Sequence, residues 1–196
     1  LRYQAYTYVM IARTAISMED FFEARTNYEE ALRIVKRLYA SPPTQQQALD
    51  LCTCLEDIGV LCEKEKNMEA ARKYYEKVLE IAESLAAESQ SDSVIRAVGM
   101  CYERLGFIAK KEGAQDAARR YYEKMYAIVE KAEAQNPSDL NMYFLALSSY
   151  RLGTVGYAER RREHLERAYK IWSGLSAKYP QNRVYKSYAD QAKKLL

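Results

Sequence analysis

Glycine, proline, histidine and cysteine are all scarce in this chain, and each shortage removes a class of answer. Seven glycines and four prolines in 196 residues leave little with which to build hairpins, whereas Ala, Leu, Glu, Lys and Arg are abundant; the prior is all-α. With a single histidine, His164, any Ser-His or Cys-His couple must use that residue or not exist. His164 lies among Arg161, Arg162, Glu163 and Glu166 and reads as a solvated helix residue. Four cysteines, Cys52, Cys54, Cys62 and Cys101, are too few and wrongly spaced for a disulfide-stapled domain, and a reducing cytoplasm is the simplest setting. Cys52 and Cys54 lie two apart, which on a helix turns them about 200° from one another and does not suit chelation. No metal or other cofactor is expected.

Long apolar runs are missing too, so no membrane span is expected, and residues 1–10 are too polar for a secretory core. Charge of one sign does not dominate: 30 basic and 27 acidic side chains are interspersed, for a net charge of +3, and no basic stripe calls for nucleic acid. The glycines stand singly rather than in a phosphate-binding loop. Glu29-Glu30 and Glu19-Asp20 are adjacent rather than convergent and read as solvated faces. An enzyme is not expected. The chain starts at Leu1 rather than at methionine, which suggests a processed product or a piece of something longer.

What is present is an internal repeat. Ile11-Ala12, Ile58-Gly59, Leu105-Gly106 and Leu152-Gly153 follow one another at 47-residue steps, as do Tyr28, Tyr75, Tyr122 and Tyr169, and Ala24, Ala71, Ala118 and Leu165. Within a copy, apolar residues at steps of three and four define two helices. In the second copy Ala48, Leu51, Leu55, Ile58 and Cys62 mark helix A, and Ala71, Tyr75, Val78, Ala82 and Leu85 mark helix B. Lys66-Asn67 and Gly113 supply the left-handed residue of the intervening turn. Ser41-Pro42-Pro43, Ser91-Asp92 and Asn136-Pro137-Ser138 mark starts of later A helices. Repeats are expected over about 1–41, 42–90, 91–136 and 137–180, with a capping helix over 182–196 that carries Tyr185, Tyr188, Ala189 and Ala192 on one face. By register the first A helix would begin before Leu1, so the first repeat reads as truncated, and its unfinished end offers a face for self-association.

These residues resemble the tetratricopeptide repeat: an aromatic, Leu-Gly and a second aromatic on helix A, then Ala and an aromatic four residues later on helix B. Tyr102, Leu105-Gly106, Ala109, Ala118 and Tyr122 occupy those places in the third copy. The repeat is about 13 residues longer than the usual 34, in the manner of bacterial members of the family. The resemblance implies a right-handed superhelical solenoid of antiparallel helix pairs. It also implies close packing in which a Gly or Ala on helix A admits helix B's small Ala, while the large ring fills the space between repeats.

The function implied is a scaffold that binds a protein or peptide in a concave groove lined by the A helices. Carried over position by position, the groove comprises Tyr6, Val9, Arg13 and Ile16 on the first A helix and Thr53, Glu56, Val60 and Glu63 on the second. The third contributes Met100, Glu103, Phe107 and Lys110, and the fourth Tyr150, Thr154 and Tyr157. Places that grip a terminal carboxylate in some relatives hold Val9, Arg13, Asp57, Met100 and Arg104, which lacks most of that clamp. The alternative is a peptide-sensing regulatory array that controls an effector or DNA-binding domain outside these residues.

Overall fold

The computed structural model describes residues 1–39 and 43–196; the Ser41-Pro42 signal and the boundary placed between residues 41 and 42 lie outside the described residues. Among the described residues the regular structure is entirely helical, in the order α1 (Arg2–Ser17), α2 (Phe21–Tyr39), α3 (Gln45–Lys64), α4 (Met68–Glu88), α5 (Asp92–Lys111), α6 (Gln115–Gln135), α7 (Asp139–Val155), α8 (Ala158–Lys178) and α9 (Arg183–Lys193). The chain divides into two compact units, Leu1–Ser89 and Gln90–Leu196. In the first, α1 packs on α2, α2 on α3 and α3 on α4; in the second, α5 packs on α6, α6 on α7, α7 on α8 and α8 on α9.

The turns within pairs repeat at the 47-residue step. Glu19, Lys66 and Gly113 take positive φ of 61°, 63° and 78°, and the next residue's N–H reaches back five residues to a helix carbonyl, as in Asn67 N to Cys62 O at 2.8 Å. It is Lys66, not Asn67, that adopts the left-handed conformation. Asn67 is occupied as the N-cap of α4, its side-chain oxygen accepting from Ala70 N at 3.0 Å. Thr44 and Gln47 form a reciprocal capping box at the start of α3, and Ser138 Oγ accepts from Asn141 N at 3.1 Å at the start of α7.

The close packing differs from expectation in one detail. A Cβ added to Gly59 would lie 2.8 Å from Tyr75 Cζ, and one added to Gly106 2.7 Å from Tyr122 Cζ. The glycines therefore make room for the tyrosine ring of their own pair, not for the small alanine, and Tyr28, Tyr75 and Tyr122 are all fully buried. In the fourth pair Leu165 takes this place against Gly153, Tyr169 is only half-buried, and Trp172 becomes the large buried ring.

That pair also turns early. α7 stops at Val155, Gly156-Tyr157 forms the junction, and Glu159 to Arg162 are the first turn of α8 rather than the connection. α9 docks through rings: Trp172 stacks on Tyr188 at 4.9 Å between centroids, and Tyr143 meets Tyr185 and Tyr188 at 6.2 and 6.3 Å. Ala189 and Ala192 are buried beneath them.

Candidate partner-binding groove

In the first unit a cavity of about 460 Å³ opens between α1 and α3. Buried Ala5, Val9, Val35 and Cys54 are among its lining residues, so the interior is apolar. Burial, with the Asp57 carboxylate behind it, pushes the Cys54 thiol up to about 12, so it stays neutral. Tyr3 and Tyr6 stand at the mouth, 90% and 62% exposed. They are carried by a helix whose other face, Ala5, Val9, Ala12 and Ala15, is buried.

Ion pairs close both ends. Arg2 Nε donates to Asp50 Oδ2 at 2.6 Å and its Nη2 to Asp50 Oδ1 at 3.1 Å. Eleven residues along α1, Arg13 donates through Nε to Asp57 Oδ2 and through Nη2 to Asp57 Oδ1, each at 3.1 Å. Burial works against the Arg13 charge, but the Asp57 carboxylate outweighs it and holds the guanidinium above its ordinary range. At a rise of 1.5 Å per residue the two arginines stand roughly 16 Å apart along the helix. The arginines are exposed and their carboxylate partners half-buried, so each end presents its guanidinium to solvent.

Of the residues expected in a groove, the cavity gathers Tyr6, Val9, Arg13 and Thr53. Glu56 and Val60 are half-buried on α3 but do not line it. Glu63 accepts a hydrogen bond from Tyr75 Oη at 2.7 Å, which ties it to the α3–α4 pair. In the second unit Glu103 is buried and accepts from Arg151, while Lys110 Nζ reaches Thr154 Oγ1 at 3.4 Å. Burial, then the neighbouring Arg151, lowers the Lys110 pKa. Lys111 Nζ sits 4.8 Å from the centre of the Phe107 ring, Met100 is half-buried, and the half-buried Tyr150 ring packs on Trp172 at 5.5 Å.

Two expectations fail. Tyr157 is not on an A helix: it occupies the N-cap position of α8, exposed, with the Arg119 guanidinium 4.1 Å from its ring centre, because α7 has already ended. His164 is not solvated either. It is buried, edge-on to Tyr126 at 5.8 Å, and burial followed by the Arg160 charge lowers its pKa.

Sequence reasoning missed Arg2, Tyr3, Val35 and Asp50. A usable signal was present: Arg2 and Asp50, like Glu103 and Arg151, are opposite charges 48 positions apart, one residue more than the repeat. Such spacing brings them together on successive A helices. Among the described residues no group of His, Cys, Asp and Glu is arranged to hold a metal. The four cysteines are buried thiols; Cys52 and Cys54 point to carbonyls on different helices, Val78 O on α4 and Tyr28 O on α2. No described helix is long and apolar enough to cross a membrane.

Comparison with known proteins adds a match over the first four helices. The tetratricopeptide repeat model matches residues 3–84. A crystal structure of a de novo designed helical repeat protein is 18% identical, covers 98% of this chain and 88% of its own, and superposes with a TM-score of 0.43. A search of curated proteins gives no match. The match covers α1 to α4, the first unit, and the 47-residue step carries the same residues on through α8; the chain is a helical-repeat protein whose first four helices match the tetratricopeptide model.

Proposed function

We propose that this chain mediates protein–protein interaction, as tetratricopeptide repeats generally do, by taking a short segment of a partner protein into the α1–α3 groove. The observation that carries the reading is the cavity itself, an apolar interior with two exposed tyrosines at its mouth. Tyrosine offers a large contact area with only two rotatable bonds to freeze, which suits it to recognition. An interior of about 460 Å³ fits one or two apolar side chains rather than a whole helix, and an extended segment presents side chains in that way. The guanidiniums at either end favour acidic residues flanking the apolar anchor.

The test is selection of binders from a random peptide library on the immobilised chain, followed by affinity measurement against Tyr6→Ala. Because Tyr6 is largely exposed, the variant keeps its fold, and a loss of about tenfold or more is expected, equivalent to about 1.4 kcal/mol. Selected peptides should be enriched in an apolar residue between acidic ones. Peptides that bind Tyr6→Ala and the parent equally would place the binding surface elsewhere.

A further inference from the structure

The chain builds the α1–α3 space a second time, between α5 and α7, and there it fills it. Two 47-residue steps carry Ala5, Val35, Asp50, Thr53 and Cys54, which line the cavity, onto Gly99, Val129, Phe144, Leu147 and Ser148. In the second unit α7 closes the space: Phe144 and Leu147 are both buried. The Phe144 ring covers Gly99, with Cδ1, Cε1 and Cγ standing 3.0 to 3.2 Å from where a Cβ would be.

In the first unit the same two places on α3 hold a carboxylate and a hydroxyl. Asp50 accepts from Arg2 at the rim and from Gln46 on its own helix. Thr53 turns its hydroxyl back to donate to Leu49 O at 2.9 Å. Both polar groups are thus satisfied internally, so an occupant need bring no hydrogen-bonding group to them. What stays open is an apolar space of about 460 Å³.

Resting on the groove reading above, we propose that the partner segment carries the two side chains that α3 omits: an aromatic ring over Ala5, in the place of Phe144, and a branched aliphatic chain beside Thr53, in the place of Leu147. On α7 these two are three residues apart, so their Cβ atoms stand about 5–6 Å from one another. An extended segment sets alternate side chains on one face, roughly 6.6 Å apart, while adjacent residues point to opposite faces. It therefore reproduces the pair with a single residue between the anchors. The partner motif is an aromatic and a branched aliphatic residue two positions apart. A ring over Ala5 sits farther out than Phe144 does over Gly99, because Ala5 carries the Cβ that Gly99 lacks. The open mouth, flanked by the exposed Tyr3 and Tyr6, leaves that room.

The experiment starts from the library-selected peptides whose binding is weakened by Tyr6→Ala. These should share an aromatic and a branched aliphatic residue separated by one position, an outcome that needs no further variant. One such peptide, and its copy with the aliphatic residue trimmed to alanine, are then titrated by fluorescence anisotropy against the parent chain and Thr53→Leu. Leu147, buried at this register in the second unit, shows that leucine is compatible with the fold, and circular dichroism checks the helicity of the variant. On the parent chain, trimming should weaken binding about tenfold or more. On Thr53→Leu the order should reverse. The intact peptide loses about tenfold or more, because leucine now fills its place from within, and the trimmed peptide binds at least as well as it does to the parent. Tyr6-dependent peptides that lack the pair, or a Thr53→Leu chain that treats both peptides alike, would overturn the proposal and leave the groove reading standing. Peptides indifferent to Tyr6→Ala would remove the groove itself, and the proposal with it.

Discussion

Replacing Gly106 with alanine sets two opposing effects against each other, and the structure decides between them. In a helix interior alanine is favoured over glycine by about 1 kcal/mol, and Gly106 lies well inside α5. Against that gain stands the Tyr122 ring, fully buried, with Cζ 2.7 Å and Cδ1 2.9 Å from where the new Cβ would lie. No carbon pair tolerates such approach, so the ring or α6 must move, and overpacking of this kind costs about 1–3 kcal/mol. A net loss of up to about 2 kcal/mol is expected. Chemical unfolding followed through Trp172, the sole tryptophan and buried in the same unit, reads it directly. The diagnostic step is the double variant. Leucine at position 122 lacks Cζ, and in that background Gly106→Ala should become neutral or stabilising by up to about 1 kcal/mol, a coupling of about 2 kcal/mol. The first pair supplies the mirror image: Ala12 already faces that space, with Ala12 and Tyr28 both buried, so Ala12→Gly should also destabilise, by about 1 kcal/mol. If Gly106→Ala stabilises the parent protein, close approach of ring and glycine is not what holds the pair together.

Two further outcomes rest on single residues. Tyr75 donates to Glu63 at 2.7 Å, but the residue 47 positions after Glu63 is Lys110, and Tyr122 Oη has no hydrogen-bond partner among the described residues. Tyr75→Phe should therefore cost about 1 kcal/mol, while Tyr122→Phe should be neutral or slightly stabilising in the same denaturation assay; equal losses would contradict this. Because burial lowers the pKa of His164 from its ordinary 6.5, the unfolded chain binds the proton more readily. Stability of the second unit is then complete above about pH 6.5 and declines as pH falls from there through the lower folded value. The decline should be shallower in His164→Phe when unfolding is followed at a series of pH values, and an unchanged slope would assign it to other groups.

The helices and their pairing were legible because a fixed step repeats the same packing demands. Each of the first three copies buries a ring against a glycine or alanine, and each of their turns spends one residue at positive φ, so the register announces both. Where the chain departs from its own register, reading failed for identifiable reasons. Gly156 ends α7 early because its ψ of -174° is extended, in a place where an added Cβ would collide with Leu152 O; Tyr157 consequently leaves the helix that the pattern assigned to it. His164 is flanked by charge in sequence, yet its face of α8 turns toward Tyr126, and neighbours in sequence say little about neighbours in space. The groove was half legible. Tyr6, Val9 and Arg13, expected by analogy, line the cavity, whereas Tyr3 and the Arg2–Asp50 pair depend on which side chains meet across two helices.

That dependence also explains why the groove lies where it does. The register of Tyr3 runs through Asp50 and Ala97 to Phe144, and that of Tyr6 through Thr53 and Met100 to Leu147. In the first unit the α3 members of these series are Asp50, which turns aside to Arg2, and the small Thr53; space is left between α1 and α3. In the second unit the α7 members are Phe144 and Leu147, both buried, and the Phe144 ring lies against Gly99 of α5, where an added Cβ would stand 3.0 Å from Cδ1. Large side chains on α7 occupy there what small ones on α3 leave open. The same backbone repeat thus gives a filled contact in one place and a receptive one in another, and two substitutions in register decide which. Enlarging Thr53 to leucine, its α7 counterpart, should close the cavity at little cost in stability, since a small site that gains an apolar group in existing space relieves rather than creates strain.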